Sequence, residues 1–141
     1  MADHPRKVLR DKVKTKILAG STSFGTRVYT NRVIPVQKTE LPLCLIYITN
    51  EPTERDRELP LIRRPKLVIE LLEKTGPDLD DKLDGLCVEI EKIFQGDEFL
   101  DDLTNEFYLS ATDIRIVEEG GVKLGSAVLT YAVMYRTRAL T

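Results

Sequence analysis

Between residues 6 and 19 the apolar positions Leu9, Val13 and Ile17 recur four apart, and Lys7, Arg10, Lys12, Lys14 and Lys16 fill positions between them. That spacing predicts a helix with one narrow apolar stripe. Pro5 suits its first turn, and Gly20 ends it in the manner of a C′ glycine. The period then shortens. Thr26–Ile34 holds Arg27-Val28-Tyr29-Thr30, stops before Pro35 and reads as a short strand. Leu41–Thr49 is apolar at successive positions, as an interior strand covered on both sides would be. Asn50–Pro60 is charged, carries Pro52 and Pro60, and reads as a mobile loop. Leu61–Leu72 resumes a strand, and Pro65 places its first part at an edge or a bulge.

Gly76-Pro77-Asp78 opens a second helix, in which Leu79, Leu83, Leu86, Cys87, Ile90, Ile93 and Phe94 recur at helical spacing. Asp78, Asp80 and Asp81 crowd its first turn, where free backbone N–H groups and the helix dipole favour anions. Gly96 closes it, and Asp97–Asp102 follows as a solvated acidic turn. Phe107–Val117 and Val122–Thr137 are long β-type runs joined by Glu118-Glu119-Gly120-Gly121, a strong hairpin signal. In the second run Ala127, Leu129, Tyr131, Val133 and Tyr135 share one face. The order α-β-β-β-α-β-β predicts an α+β fold, a mainly antiparallel sheet of about five strands with two helices on one face.

A length of 141 residues suits one domain over 1–141, and 42% hydrophobic with 31% charged residues excludes a disordered or collagen-like chain. The longest apolar run, Leu43–Ile48, is far short of the roughly 20 residues of a bilayer span, so no membrane partner is expected. The opening MADHPRK holds no apolar signal core, and no secretion by that route is expected. Cys44 and Cys87 both sit inside apolar patterns and read as buried free thiols rather than a disulfide framework, which points to a soluble intracellular protein.

Enzyme chemistry finds few residues. His4 is the single histidine and reads as an incidental residue of a mobile terminus, so no Ser-His-Asp or Cys-His constellation can be anchored in the folded body. Two separated cysteines and His4 do not make a zinc site. Gly20–Gly25 has phosphate-loop glycine spacing, but Thr26-Arg27 stands where Lys-Ser/Thr is required, and the segment runs from helix to strand. Asp78, Asp80, Asp81 and Asp84 lack the glycine and register of a calcium loop, and read as helix-start residues. No catalytic residue, metal or cofactor is expected.

Charge is more informative. Net charge is −2, yet residues 1–40 carry nine Lys/Arg against three Asp/Glu, and residues 78–119 carry three against fourteen. A chain so polarised can pair its own halves, or pair one copy's basic face with the next copy's acidic face. The candidate contacts are Arg10 and Lys14 on the basic helix, facing a neighbour's Asp84 and Glu91, together with Arg55 and Arg57 in the charged loop, whose guanidinium forks suit carboxylates. Nucleic acid is a weaker partner for the basic helix. No aromatic residue interleaves with its cations, and the overall pI is near 5.5.

Several segments resemble, in order and spacing, a phage tail terminator of the lambda minor tail protein type. They are Gly25–Pro35 (GTRVYTNRVIP), Glu40–Tyr47 (ELPLCLIY), the helix segment Leu79–Asp84 (LDDKLD) and the closing Leu129–Thr137 (LTYAVMYRT). The resemblance spans nearly the whole chain. It implies a non-enzymatic assembly protein of the virion, forming a ring, usually hexameric, that caps the tail tube, ends its growth and offers a surface for head joining. The implied partners are other copies of the chain, the tail tube protein and the head–tail joining protein. The implied location is the head-proximal end of the tail, and the host cytoplasm during assembly. The alternatives are another head–tail connector or completion protein, or a small α+β module that binds nucleic acid or protein.

Overall fold

A computed structural model describes residues 3–30, 41–55, 61–119 and 121–137. Helix α1 (Pro5–Ala19) buries Leu9, Val13 and Ile17, the stripe that the spacing predicts. Its terminus is not idle. His4 is the N-cap, and its Nδ1 accepts the Arg6 backbone N–H at 3.0 Å. Gly20 follows the helix with φ −79°, so left-handed backbone is not the reason for glycine there. Space is the reason, because a Cβ at Gly20 would stand 2.8 Å from Ile93 Cδ1 of the second helix, well inside contact distance.

The strands are β1 (Val28–Tyr29), β2 (Leu43–Asn50), β3 (Thr53–Glu54), β4 (Leu61–Arg63), β5 (Lys66–Lys74), β6 (Glu106–Glu119) and β7 (Val122–Thr137), with helix α2 (Leu79–Phe94) between β5 and β6. β2 pairs β5, β5 pairs β7 and β7 pairs β6, all antiparallel; β1 lies parallel to β2. β4 continues on β7 the register of β5, with Lys66 opposite Ala132 and Arg63 opposite Tyr135. β3 likewise continues on β4 the register that β2 takes after its irregularity at Ile48/Asn50. The two long hairpins, 43–74 and 106–137, therefore lie side by side, with β7 paired along both edges.

This is the expected α+β class. Three details differ from expectation. Leu61–Leu72 is broken at Arg64-Pro65, where proline has no N–H to donate. The broken strand is interior rather than an edge, since β4 pairs both β3 and β7. Part of the expected loop Asn50–Pro60 is strand β3, while residues 56–60 lie outside the described residues, as do 31–34 of the expected first strand.

Both helices cover one sheet face. Leu9, Val13 and Ile17 of α1 and Leu83, Leu86, Ile90 and Phe94 of α2 pack on Cys44, Ile46, Leu67, Ile69, Leu71, Leu129 and Tyr131. Phe107 stacks on Tyr131 at 4.9 Å, and Phe94 meets both rings at 5.4 and 5.7 Å. α2 starts close to the sheet because Gly125 is bare where any side chain would run into Leu79. On the other face a smaller cluster joins Leu43, Leu45, Leu72 and Leu124. Beside it Tyr47 and Ser126 each donate a hydroxyl to Glu70, at 2.8 Å.

Candidate functional site

Four-residue spacing puts the cations of α1 into rows. One row, Lys12 and Lys16, faces the turn after α2. Lys16 Nζ stands 2.7 Å from Asp97 and 3.2 Å from Asp101, and Lys12 Nζ stands 3.0 Å from Asp101. Asp101 is held below its ordinary value, chiefly by the Lys12 bond and then by Lys16, and Lys16 is raised chiefly by Asp97. Lys7 bridges Asp3 and Asp11 along the helix itself. The basic segment and the acidic turn thus partly neutralise each other within one chain, one of the two pairings that the charge polarity allows, and Asp97–Asp102 is more than a solvated turn.

Arg6 begins a second row that continues through Arg10 and Lys14. It ends at a buried carboxylate. Glu51, read from sequence as part of a mobile loop, has a side chain only 8% exposed, beside the β2 irregularity. Its Oε2 accepts from Arg6 at 2.6 Å and Arg63 at 3.0 Å, and its Oε1 from the Tyr135 hydroxyl at 2.6 Å. Arg63 Nε donates in turn to Thr137 Oγ1 at 2.8 Å. Burial works to raise the Glu51 carboxyl, but Tyr135, Arg63 and Arg6 together hold it below the usual carboxylate value. The same burial, and then Glu51 itself, push the Tyr135 hydroxyl up. His4 is lowered, by desolvation first and then by Arg6 and Arg63. This cluster ties the start of α1 to β4, to β7 and to the residue that follows β2. Sequence reasoning passed over Glu51, Arg63 and His4 because no local pattern marks them. All that shows in the sequence is that a charged run opens directly after an apolar strand.

Of the residues chosen from sequence, Arg10 and Lys14 are half-buried and Arg55 is exposed, and Asp84 and Glu91 are exposed on α2. Arg57 lies outside the described residues. The structure does not bring Arg10 or Lys14 within ion-pair distance of Asp84 or Glu91 of the same chain, and among the described residues none of the five forms an ion pair. Asp84 and Glu91 flank Cys87, whose thiol is pushed up to about 11 by burial and then by these two charges. Cys44 is fully buried and its thiol is raised further.

Beside Glu91 a concavity of about 430 Å³ runs between the end of α2 and the start of β6, over Val88, Phe94, Phe107, Leu109 and Tyr131. Its lining is largely aromatic and aliphatic, suited to apolar contact, and includes the charged Glu91, Lys92, Asp97 and Glu98. Among the described residues no three His, Cys, Asp or Glu side chains gather to hold a metal ion. Among them too, no helix is long and apolar enough to cross a membrane.

The far half of β6 differs from everything above. Residues 111–116 are all exposed, although they alternate between the two faces of the sheet, and Ile116 is 65% exposed. No further strand pairs the outer edge of β6 among the described residues.

No protein-family model matches the chain, and no curated protein matches it. Among solved structures, a chain from the virion of a native gene transfer agent (GTA) particle superposes with a TM-score of 0.49 at 12% identity, over 92% of this chain and 95% of that one. At that identity and superposition no role passes from it to this chain.

Proposed function

We propose that this chain acts as one domain and as a non-enzymatic virion assembly protein of the tail-terminator kind. Copies of it form a ring, hexameric as the family resemblance implies, which caps the tail tube, stops its growth and receives the head–tail joining protein. It works at the head-proximal end of the tail, having assembled in the host cytoplasm. The observation that supports assembly over catalysis is the far half of β6: residues 111–116 are exposed on both faces, Ile114 and Ile116 among them, and no further strand pairs their outer edge among the described residues. An open, apolar edge strand is a template for pairing and calls for a partner. A ring also needs two unlike, complementary patches on each subunit. Asp84 and Glu91 supply one, and cations of the next copy supply the other, for which the sequence pattern offers Arg10, Lys14, Arg55 and Arg57 as candidates.

The test is to add the purified protein to polymerising tail tube protein and measure tube lengths by electron microscopy. Shortened tubes of uniform length with density at one end are expected. Unaltered tube growth, with a salt-sensitive mobility shift on DNA or RNA instead, would overturn the proposal in favour of a nucleic-acid module.

A further inference from the structure

The sheet face turned away from the helices is bare at one end. There Arg64, Lys66 and Arg136 are exposed, with half-buried Ile62 and Met134 between them. The register sets them side by side, Ile62 opposite Arg136 and Lys66 opposite Ala132, and strand alternation turns them from the buried Arg63, Leu67 and Tyr135. Tyr108, 55% exposed, adjoins Ala132 from β6. None of the three cations is in an ion pair among the described residues. The surface is an apolar floor rimmed by positive charge, with Glu54 and Glu106 at its flanks.

The outward side of α2 is its complement. Asp81, Asp84, Gly85, Val88 and Glu91 follow at three- and four-residue steps along one stripe, and Val88 is 48% exposed. Gly85 has no partner in its own chain that would require it. A Cβ there would meet nothing within 4 Å, and glycine inside a helix is unfavourable relative to alanine. The fold gains nothing from this bare spot, but a second surface approaching the helix backbone would. The two patches match: carboxylates beside an apolar strip on one, guanidinium and ammonium groups around an apolar floor on the other.

We infer that α2 of one copy docks through Asp81, Asp84, Gly85 and Val88 onto the bare sheet face of the next copy, at Arg64, Lys66, Met134 and Arg136. Each sheet is then covered by its own helices on one side and by a neighbour's α2 on the other. The contact is head-to-tail, so repetition closes a ring when the rotation between copies allows. The inference deepens the ring reading and rests on it for closure. It reassigns the cations facing Asp84 from Arg10 and Lys14 to the sheet face.

The experiment is light scattering over a wide concentration range on four proteins. They are the wild type, a sheet variant (Arg64→Glu, Lys66→Glu, Arg136→Glu), a helix variant (Asp81→Lys, Asp84→Lys) and a control (Arg10→Glu, Lys14→Glu). Wild type and control are expected to assemble, and each interface variant to remain a folded monomer with association at least 100-fold weaker. An equimolar mixture of the two interface variants should regain the assembled mass, since each reversed patch then meets its complement on the other chain in an alternating ring. Gly85→Gln should weaken assembly while raising the melting temperature of the subunit. Assembly that survives either reversal, is lost in the control, or fails to return on mixing would overturn the contact. A wild type that stays monomeric at every concentration would overturn it too. Tube capping by such a monomer would leave the terminator reading standing.

Discussion

Two regions of this protein are rich in charge and treat it in opposite ways. Around Glu51, every charge that the fold buries meets a partner from a distant part of the same chain: Arg6 on α1, Arg63 on β4 and the Tyr135 hydroxyl on β7. On the outward side of α2 and on the bare sheet face, Asp81, Asp84, Arg64, Lys66 and Arg136 stand exposed with no ion pair among the described residues. The first arrangement can hold a fold together, because a buried carboxylate stripped of its partners is strongly unfavourable. The second adds little to the stability of the fold, because solvent already screens it. A count of acidic and basic residues does not separate them; burial does.

The sharpest way to test this contrast is Glu51→Ala, which leaves Arg63 buried without its anion. Chemical denaturation should show a loss of about 3 kcal/mol, below the full penalty of a broken buried pair's upper range because Arg6, at 37% exposure, relaxes into water. Acid reaches a similar state reversibly. Glu51 is held below its ordinary value of 4.5 in the fold, so its contribution is complete above that pH and is lost as pH falls towards the folded value. Glu51→Ala should remove that part of the acid slope.

Tyr135→Phe withdraws one donor and leaves the two guanidiniums, so about 1.5 kcal/mol should be lost, the worth of a hydrogen bond to a charged group. Gly85→Ala should move stability the other way. A gain of about 0.5–1 kcal/mol is expected from helix propensity at an open position, read as a raised unfolding midpoint. Asp84→Asn, beyond the first turn of α2, should leave the stability of the fold within about 0.5 kcal/mol. A larger loss would show that the α2 charges are tied into the fold after all, and the contrast would fail. The smallest effect belongs to His4→Asn, which preserves an N-cap acceptor. The His4 imidazole is lowered from 6.5, so folded protein resists its protonation and stability declines as pH drops below that value. The asparagine variant should lose only this upper part of the acid dependence.

What could be read from the sequence was whatever repeats locally. The stripe of α2 and the alternation of Ala127 through Tyr135 each sit within one element, and the hairpin signal lies between two consecutive strands. Both patterns and the β6–β7 pairing appear in the fold as expected. Glu51 was hidden because its burial depends on donors 45, 12 and 84 residues away. Nothing in Asn50–Pro60 separates that carboxylate from Glu54, which is exposed. The pairing of Lys12 and Lys16 with the Asp97–Asp101 turn was one of two outcomes that charge polarity allowed, and only the packing of α1 beside α2 selects it. Gly20 was legible as a helix end but not for its reason, which is the approach of Ile93.

β7 follows every other strand of the sheet in the chain, yet it lies between β5 and β6 and pairs with both. On the ribosome the two long neighbours are therefore translated before the strand that joins them, each with a row of unsatisfied backbone groups. A nascent or prematurely terminated product lacking Leu124–Thr137 would present those rows to chaperones and proteases rather than a finished surface. Quality control thus comes from the order of synthesis: the sheet cannot close until the segment at its middle has been made.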